Sequence, residues 1–166
     1  RSICFSPDGE EISASGSDGD VYTWNVKSWR CLNRFVNNDG SIVCSLARSS
    51  RHIAVGAESG VVNMFETVQG NPMRNQTRKS IMNLQTSADM VRFNHDGQIL
   101  ALSSRREKMG LKLVHVPSQS VFANWPTSNT PLHYVWATDF SPQSKFVAIG
   151  NDKGKCLLYK LGHYNQ

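Results

Sequence analysis

Four times along this chain a glycine stands five residues ahead of a bulky side chain. The pairs are Gly19 with Trp24, Gly60 with Phe65, Gly110 with His115 and Gly154 with Tyr159. Apolar positions precede them at Phe5, Leu46, Phe93 and Phe140, lying 19, 19, 22 and 19 residues before the bulky partner. Between them come a polar turn and a second apolar run. A unit of about 40–50 residues with four short strands cannot bury its own apolar faces and must stack on copies of itself, as the blades of a β-propeller do. The expected fold class is all-β, with blades at about 1–40, 41–87, 88–130 and 131–166.

Turn chemistry supports that division. Ser6-Pro7-Asp8-Gly9 and Asn94-His95-Asp96-Gly97 put Pro, Asp and Gly where tight turns use them, and Ser141-Pro142 opens a third such turn. Val21-Tyr22-Thr23-Trp24-Asn25-Val26 alternates as a half-buried strand should. The outer strand of the second blade is expected over Ser80–Leu84. Ala14, Ala54, Ala101 and Ala148 recur in the second strands, where a small side chain lets the adjoining blade approach. The last unit has three strands, so its edge would be unpaired, a liability that proteins normally cover. The expectation is the C-terminal part of a larger propeller of about seven blades, whose open four-blade arc would not fold alone.

Composition excludes more than it selects. The 39% hydrophobic content suits a folded chain, and no apolar run is long enough to span a membrane. Cys4, Cys31, Cys44 and Cys156 lack metal-ligand spacing, so they are expected as reduced structural thiols in an intracellular protein. A net charge of +5 is compatible with nucleic acid nearby and does not decide the matter.

Phe5-Ser6-Pro7-Asp8-Gly9, Gly16-Ser17-Asp18-Gly19 and Trp24-Asn25 together resemble a WD repeat. Asp139-Phe140-Ser141-Pro142 with Gly154 and Tyr159 repeats the likeness more loosely. The resemblance implies a WD-type structural role for Asp18, Trp24, Phe65, His115 and Tyr159, with Asp18 as the turn aspartate of a polar network. Ser59, Met109 and Lys153 stand at that aspartate position in the other blades, so apolar interleaving must supply more of the stability there. Lys112–Ser118, Val121–Pro126 and Gly150–Tyr159, with the closing His163-Tyr164, are similar to a branch of the WD-repeat family that works in the small-subunit processome. What that resemblance implies is a nucleolar scaffold in processing of the small-subunit rRNA precursor. Its partners would be other WD-repeat processome subunits, with U3 small nucleolar RNA and pre-rRNA close by. The alternative is a WD-repeat adaptor binding peptide motifs in a ubiquitin-ligase or signalling complex.

Nothing converges into catalytic chemistry. His52, His95, His115, His133 and His163 are scattered, and no phosphate-binding loop, zinc-protease helix or nucleophile elbow is present. The chain is expected to be no enzyme and to carry no cofactor, metal or small-molecule substrate. Two basic stretches remain as candidate RNA or partner contacts. Arg74, Arg78 and Lys79 fall in a long connection between third and outer strands of the second blade. Arg105, Arg106 and Lys108 sit in a hairpin of the third blade that is three residues longer than its counterparts. Insertions in repeats map to surface loops that can bind. The two connections open on opposite faces of the disc, and no aromatic ladder interleaves with either, so only backbone phosphate contacts are expected.

Overall fold

The computed structural model describes residues 1–37, 40–67 and 77–162, the side chains of 77–79 excepted. Its strands form four antiparallel meanders. The first sheet joins β1 (Ser2–Phe5), β2 (Glu11–Ser15), β3 (Asp20–Asn25) and β4 (Cys31–Val36) in that order. The second joins β5 (Val43–Arg48), β6 (His52–Ala57), β7 (Val62–Glu66) and β8 (Thr77–Ile81). The third joins β9 (Met90–Phe93), β10 (Ile99–Ser103), β11 (Leu111–His115) and the short β12 (Ser120–Val121). The fourth has β13 (Val135–Phe140), β14 (Phe146–Asn151) and β15 (Cys156–Lys160). The first strands of successive sheets are neighbours, as in the hub of a propeller.

The core lies between sheets rather than within any one of them. Val21 and Phe35 meet Val43, Leu46, Ile53, Val55 and Phe65 across the first junction. Ala47, Ala54, Val62 and Met64 meet Val91, Phe93, Leu100, Leu102 and Val114 across the second. Ile99, Ala101, Leu111 and Leu113 meet Val135, Val147 and Ile149 across the third. In the second and third sheets strand alternation therefore sends the two faces to two different neighbours, so a polar substitution at the buried apolar positions of either face would weaken a junction.

Register corrects several sequence expectations. Ile12 pairs with Trp24 and Ile53 with Phe65, and Val147 pairs with Tyr159, but in the third sheet the matching pair is Leu100 with Val114. Val114, fully buried, holds the place that spacing assigned to His115. The left-handed turn residue five positions earlier is Met109, φ 62°, where the other hairpins have Gly19, Gly60 and Gly154. Gly110 is not in that conformation. The hairpin loop thus spans seven residues, 104–110, against five in each of the others, two longer rather than three.

A second shift affects the first strands. Ser6, Ser49, Asn94 and Ser141 each donate a backbone hydrogen bond that closes the first hairpin, to the carbonyls of Glu11, His52, Ile99 and Phe146. Counting from that bond, Arg48 rather than Leu46 is the counterpart of Phe5, Phe93 and Phe140, because the second sheet's first hairpin is shorter by two residues. By the same register Ala54, Ala101 and Ala148 match Ser13, not Ala14. Ser13 is fully buried and faces the second sheet, where Arg48 donates to its hydroxyl at 3.3 Å. The outer strand of the second sheet is Thr77–Ile81, earlier than the expected Ser80–Leu84, because Met64, Asn63 and Val62 pair with Lys79, Ser80 and Ile81. Met82 then turns out to water and Leu84 returns to the core.

Candidate functional site

The loop 104–110 is fixed in its backbone and exposes the side chains of Arg105, Arg106 and Lys108. Asp89, just ahead of β9, accepts the Arg105 N–H at 2.8 Å and the Ser104 hydroxyl at 3.4 Å through the same oxygen. The Ser104 and Thr86 hydroxyls share a hydrogen bond at 2.7 Å. Glu107 accepts the Gln85 N–H at 3.0 Å, and the Met109 N–H donates to the His133 carbonyl at 2.8 Å. The loop is therefore tied on one side to the linker from the second sheet and on the other to the segment entering the fourth. Backbone groups satisfied in this way leave Arg105, Arg106 and Lys108 free to point outward, and all three are exposed.

An aromatic partner absent from the linear neighbourhood completes the arrangement. In β13, Val135 pairs with Asn151 and Ala137 with Gly150, so Trp136 is the extra residue of a β-bulge. A bulge residue has no cross-strand partner and is re-aimed out of the strand's alternation. Trp136 leaves the sheet 53% exposed, with the Arg105 guanidinium 5.3 Å from its ring centroid. The guanidinium sits over the negative face of the indole π-system, an attraction of about 0.5–1 kcal/mol at an exposed site. No ladder was visible around Arg105 because its ring lies 31 positions further along the chain. The carboxylates nearest the loop, Asp89 and Glu107, are engaged with backbone N–H groups, so the outward-facing side chains carry the positive charge.

The other basic stretch is placed differently from expectation. Arg78 and Lys79 belong to strand β8 itself, not to the connection before it, and their side chains lie outside the described residues. Arg74 lies outside the described residues, as do His163 and Tyr164.

The WD-type positions resolve into packing and turn contacts. The Tyr22 hydroxyl donates to Asp18 at 2.8 Å, and that bond, more than any other contact, holds the Asp18 carboxyl below the usual carboxylate range. Trp24 stacks on Tyr22 at 5.6 Å, and Arg34 lies over Tyr22 while its Nε donates to Asp20 at 2.6 Å. Phe65 is buried, and Tyr159 meets Trp125 edge-on at 5.1 Å. His115 Nδ1 lies 2.7 Å from the Ser118 hydroxyl, which continues to Ser120, so the imidazole closes a surface turn. Among the described residues no three His, Cys, Asp or Glu side chains are gathered as metal ligands. A groove of about 500 Å³ runs along β1, β5 and β9 and is lined by residues such as Arg48, Asp89 and Arg92.

The comparisons with known proteins agree with the fold of repeated antiparallel sheets. The model of the WD domain, G-beta repeat, matches residues 1–25. The chain is similar to the U3 small nucleolar RNA-associated protein 18 homolog of Arabidopsis thaliana, 43% identical over 99% of this chain and 30% of the relative. The homolog of the same name from Homo sapiens is 41% identical over 97% of this chain and 30% of the relative. The chain thus spans about 30% of the length of these curated relatives. A chain from a crystal structure of the mitotic checkpoint complex superposes with a TM-score of 0.78 over 95% of this chain and 48% of that one. At 18% identity that likeness speaks for the fold alone.

Proposed function

The chain belongs to the WD-repeat family as a homologue of U3 small nucleolar RNA-associated protein 18, and from that premise we propose that it acts as a non-catalytic scaffold in the small-subunit processome. On this reading it works in the nucleolus, on the precursor of the small-subunit rRNA, beside U3 small nucleolar RNA and other WD-repeat subunits. On the same reading it forms part of a larger propeller. The observation that carries the reading is identity above 40% with the named homologues over nearly the whole chain, far beyond the 25 residues of the generic repeat.

The geometry supplies a mechanism. Sheets stacked through three apolar junctions make a rigid support, and the anchored loop presents Arg105, Arg106 and Lys108 at fixed positions. Cations held in place neutralise phosphates with release of counterions, so binding is salt-dependent and sequence-tolerant. The polar groups of the described turns serve hairpins and sheet junctions, which is why the reading assigns no reaction to them.

Affinity purification of the tagged full-length protein tests the reading. U3 RNA and processome subunits are expected in the eluate, and their absence would favour a peptide-binding adaptor instead. Replacing Arg105, Arg106 and Lys108 by Ala should lower the salt slope of RNA binding by roughly two, for three phosphate contacts on a single strand.

A further inference from the structure

We propose that Trp136 and Arg105 form a stacking platform for an unpaired nucleobase of RNA, with Arg106 and Lys108 holding the flanking phosphates. The inference rests on the reading that RNA approaches this face, and goes beyond it by assigning base contact to a residue outside the basic loop.

The bulge at Val135/Ala137 carries the argument. Had β13 continued in regular alternation, Trp136 would take a place in the sheet's pairing; the extra residue instead projects a large indole into water. Leaving about half of so large a side chain in water forgoes part of the stabilisation of burying it, and the contact with Arg105 offsets only some of that loss. The ring is also not free to turn away, because Arg105 lies against it from a loop whose backbone is held by Asp89 and His133. With the guanidinium over one face of the indole, a base would extend the stack on the outer side of the guanidinium or on the ring's opposite face, while the neighbouring cations suit its phosphates. A ring in this setting discriminates between forms of RNA. A base in a duplex is already stacked and its face is closed, whereas an unpaired base can be splayed onto the ring.

An acidic peptide is the competing occupant of a basic, aromatic surface. It would pair with Arg105, Arg106 and Lys108 but has no flat π-system to lay on the indole. The guanidinium already placed on the ring favours a stacked base.

Binding to the purified full-length protein tests the proposal, with an oligouridine of about ten nucleotides and an RNA duplex of the same length as probes. Trp136→Ala should weaken oligouridine binding roughly five- to 150-fold, the worth of one stacked base. Trp136→Phe should retain most of the affinity, and duplex binding should be unchanged in both. Equal loss for the two RNAs, or no loss of oligouridine affinity in Trp136→Ala, would overturn the platform. In that event, loss on replacing Arg105, Arg106 and Lys108 together would leave the phosphate-contact reading intact. If Trp136→Ala releases a protein subunit while RNA affinity stays the same, the surface is a protein contact and the proposal fails.

Discussion

Phe35 and Phe65 meet with ring centroids 4.7 Å apart and planes tilted by 54°, although they belong to different sheets. Phe35 comes from the outer strand β4 and Phe65 from the third strand β7, and each is at most 2% exposed. Ser13, Ser15 and Thr23 are also buried in the first sheet, whose buried apolar contribution to this junction is Val21 and Phe35. The aromatic pair contributes the two largest side chains of that cluster. Phe65→Ala should cost about 3–5 kcal/mol. Denaturant unfolding of the full-length protein checks this; a loss below about 1 kcal/mol would mean that the junction collapses around the cavity.

Arg48 reaches across the same junction to the Glu11 carboxylate and also donates to the Ser13 hydroxyl. Its side chain is 12% exposed and that of Glu11 30%. Arg48→Met would strand the carboxylate in a half-dry site and should cost about 1–3 kcal/mol, less than the toll for a fully buried pair. Removing both charges, as Arg48→Met with Glu11→Gln, should recover at least half of that loss. A double variant no better than the single one would show that Arg48 acts through packing alone.

The legible part of this fold was its period, because four strands per unit and an alternating pattern are properties of the chain's own spacing. What spacing missed was local offset. Met109 occupies a left-handed position where three glycines set the expectation, so glycine spacing selects Gly110 and puts His115 in the place of Val114. The buried valine could have been preferred, since a fully buried strand position suits it better than an imidazole. Arg48 was hidden differently. A shortened hairpin moved a charged residue into the register of Phe5, where apolar matching selects Leu46 instead. Of the candidate site, the cations of the long loop were readable as an insertion in a repeat. Trp136 was not, because a bulge leaves no mark in the alternation of so short a strand and its partner lies on another sheet.

Gly60 and Gly154 look alike in sequence and differ in surroundings. Both are left-handed, with φ of 87° and 68°. A Cβ on Gly60 would lie 2.6 Å from the Thr86 carbonyl oxygen and 2.7 Å from that of Leu84, both backbone atoms of the linker between sheets. A Cβ on Gly154 would meet nothing within 4 Å. Gly154→Ala should therefore cost about 1–2 kcal/mol, the conformational strain alone. Gly60→Ala should exceed about 3 kcal/mol by adding backbone overlap. Thermal unfolding of the two variants side by side decides it, and equal losses would contradict the close approach of the linker.

Burial pushes the Cys4 thiol from 9.0 up to about 11, against a smaller opposing pull from Arg48. Cys31 and Cys156 are exposed. Since the thiolate is the reactive form, alkylation at neutral pH should modify the exposed Cys31 and Cys156 first, with the Cys4 thiolate fraction about a hundredfold below that of a thiol left at 9.0. The same shift couples stability to pH. Above the unfolded value the unfolded chain releases a proton that the folded state still holds, so unfolding gains an advantage as pH rises from 9.0 to about 11. Stability contributed at this site is complete below that window and lost across it. Cys4→Ala should flatten this part of the pH–stability curve measured by urea unfolding, whereas Cys31→Ala should leave it in place. If both variants give the wild-type slope, the alkaline loss arises from other groups and Cys4 is not the proton-holding site.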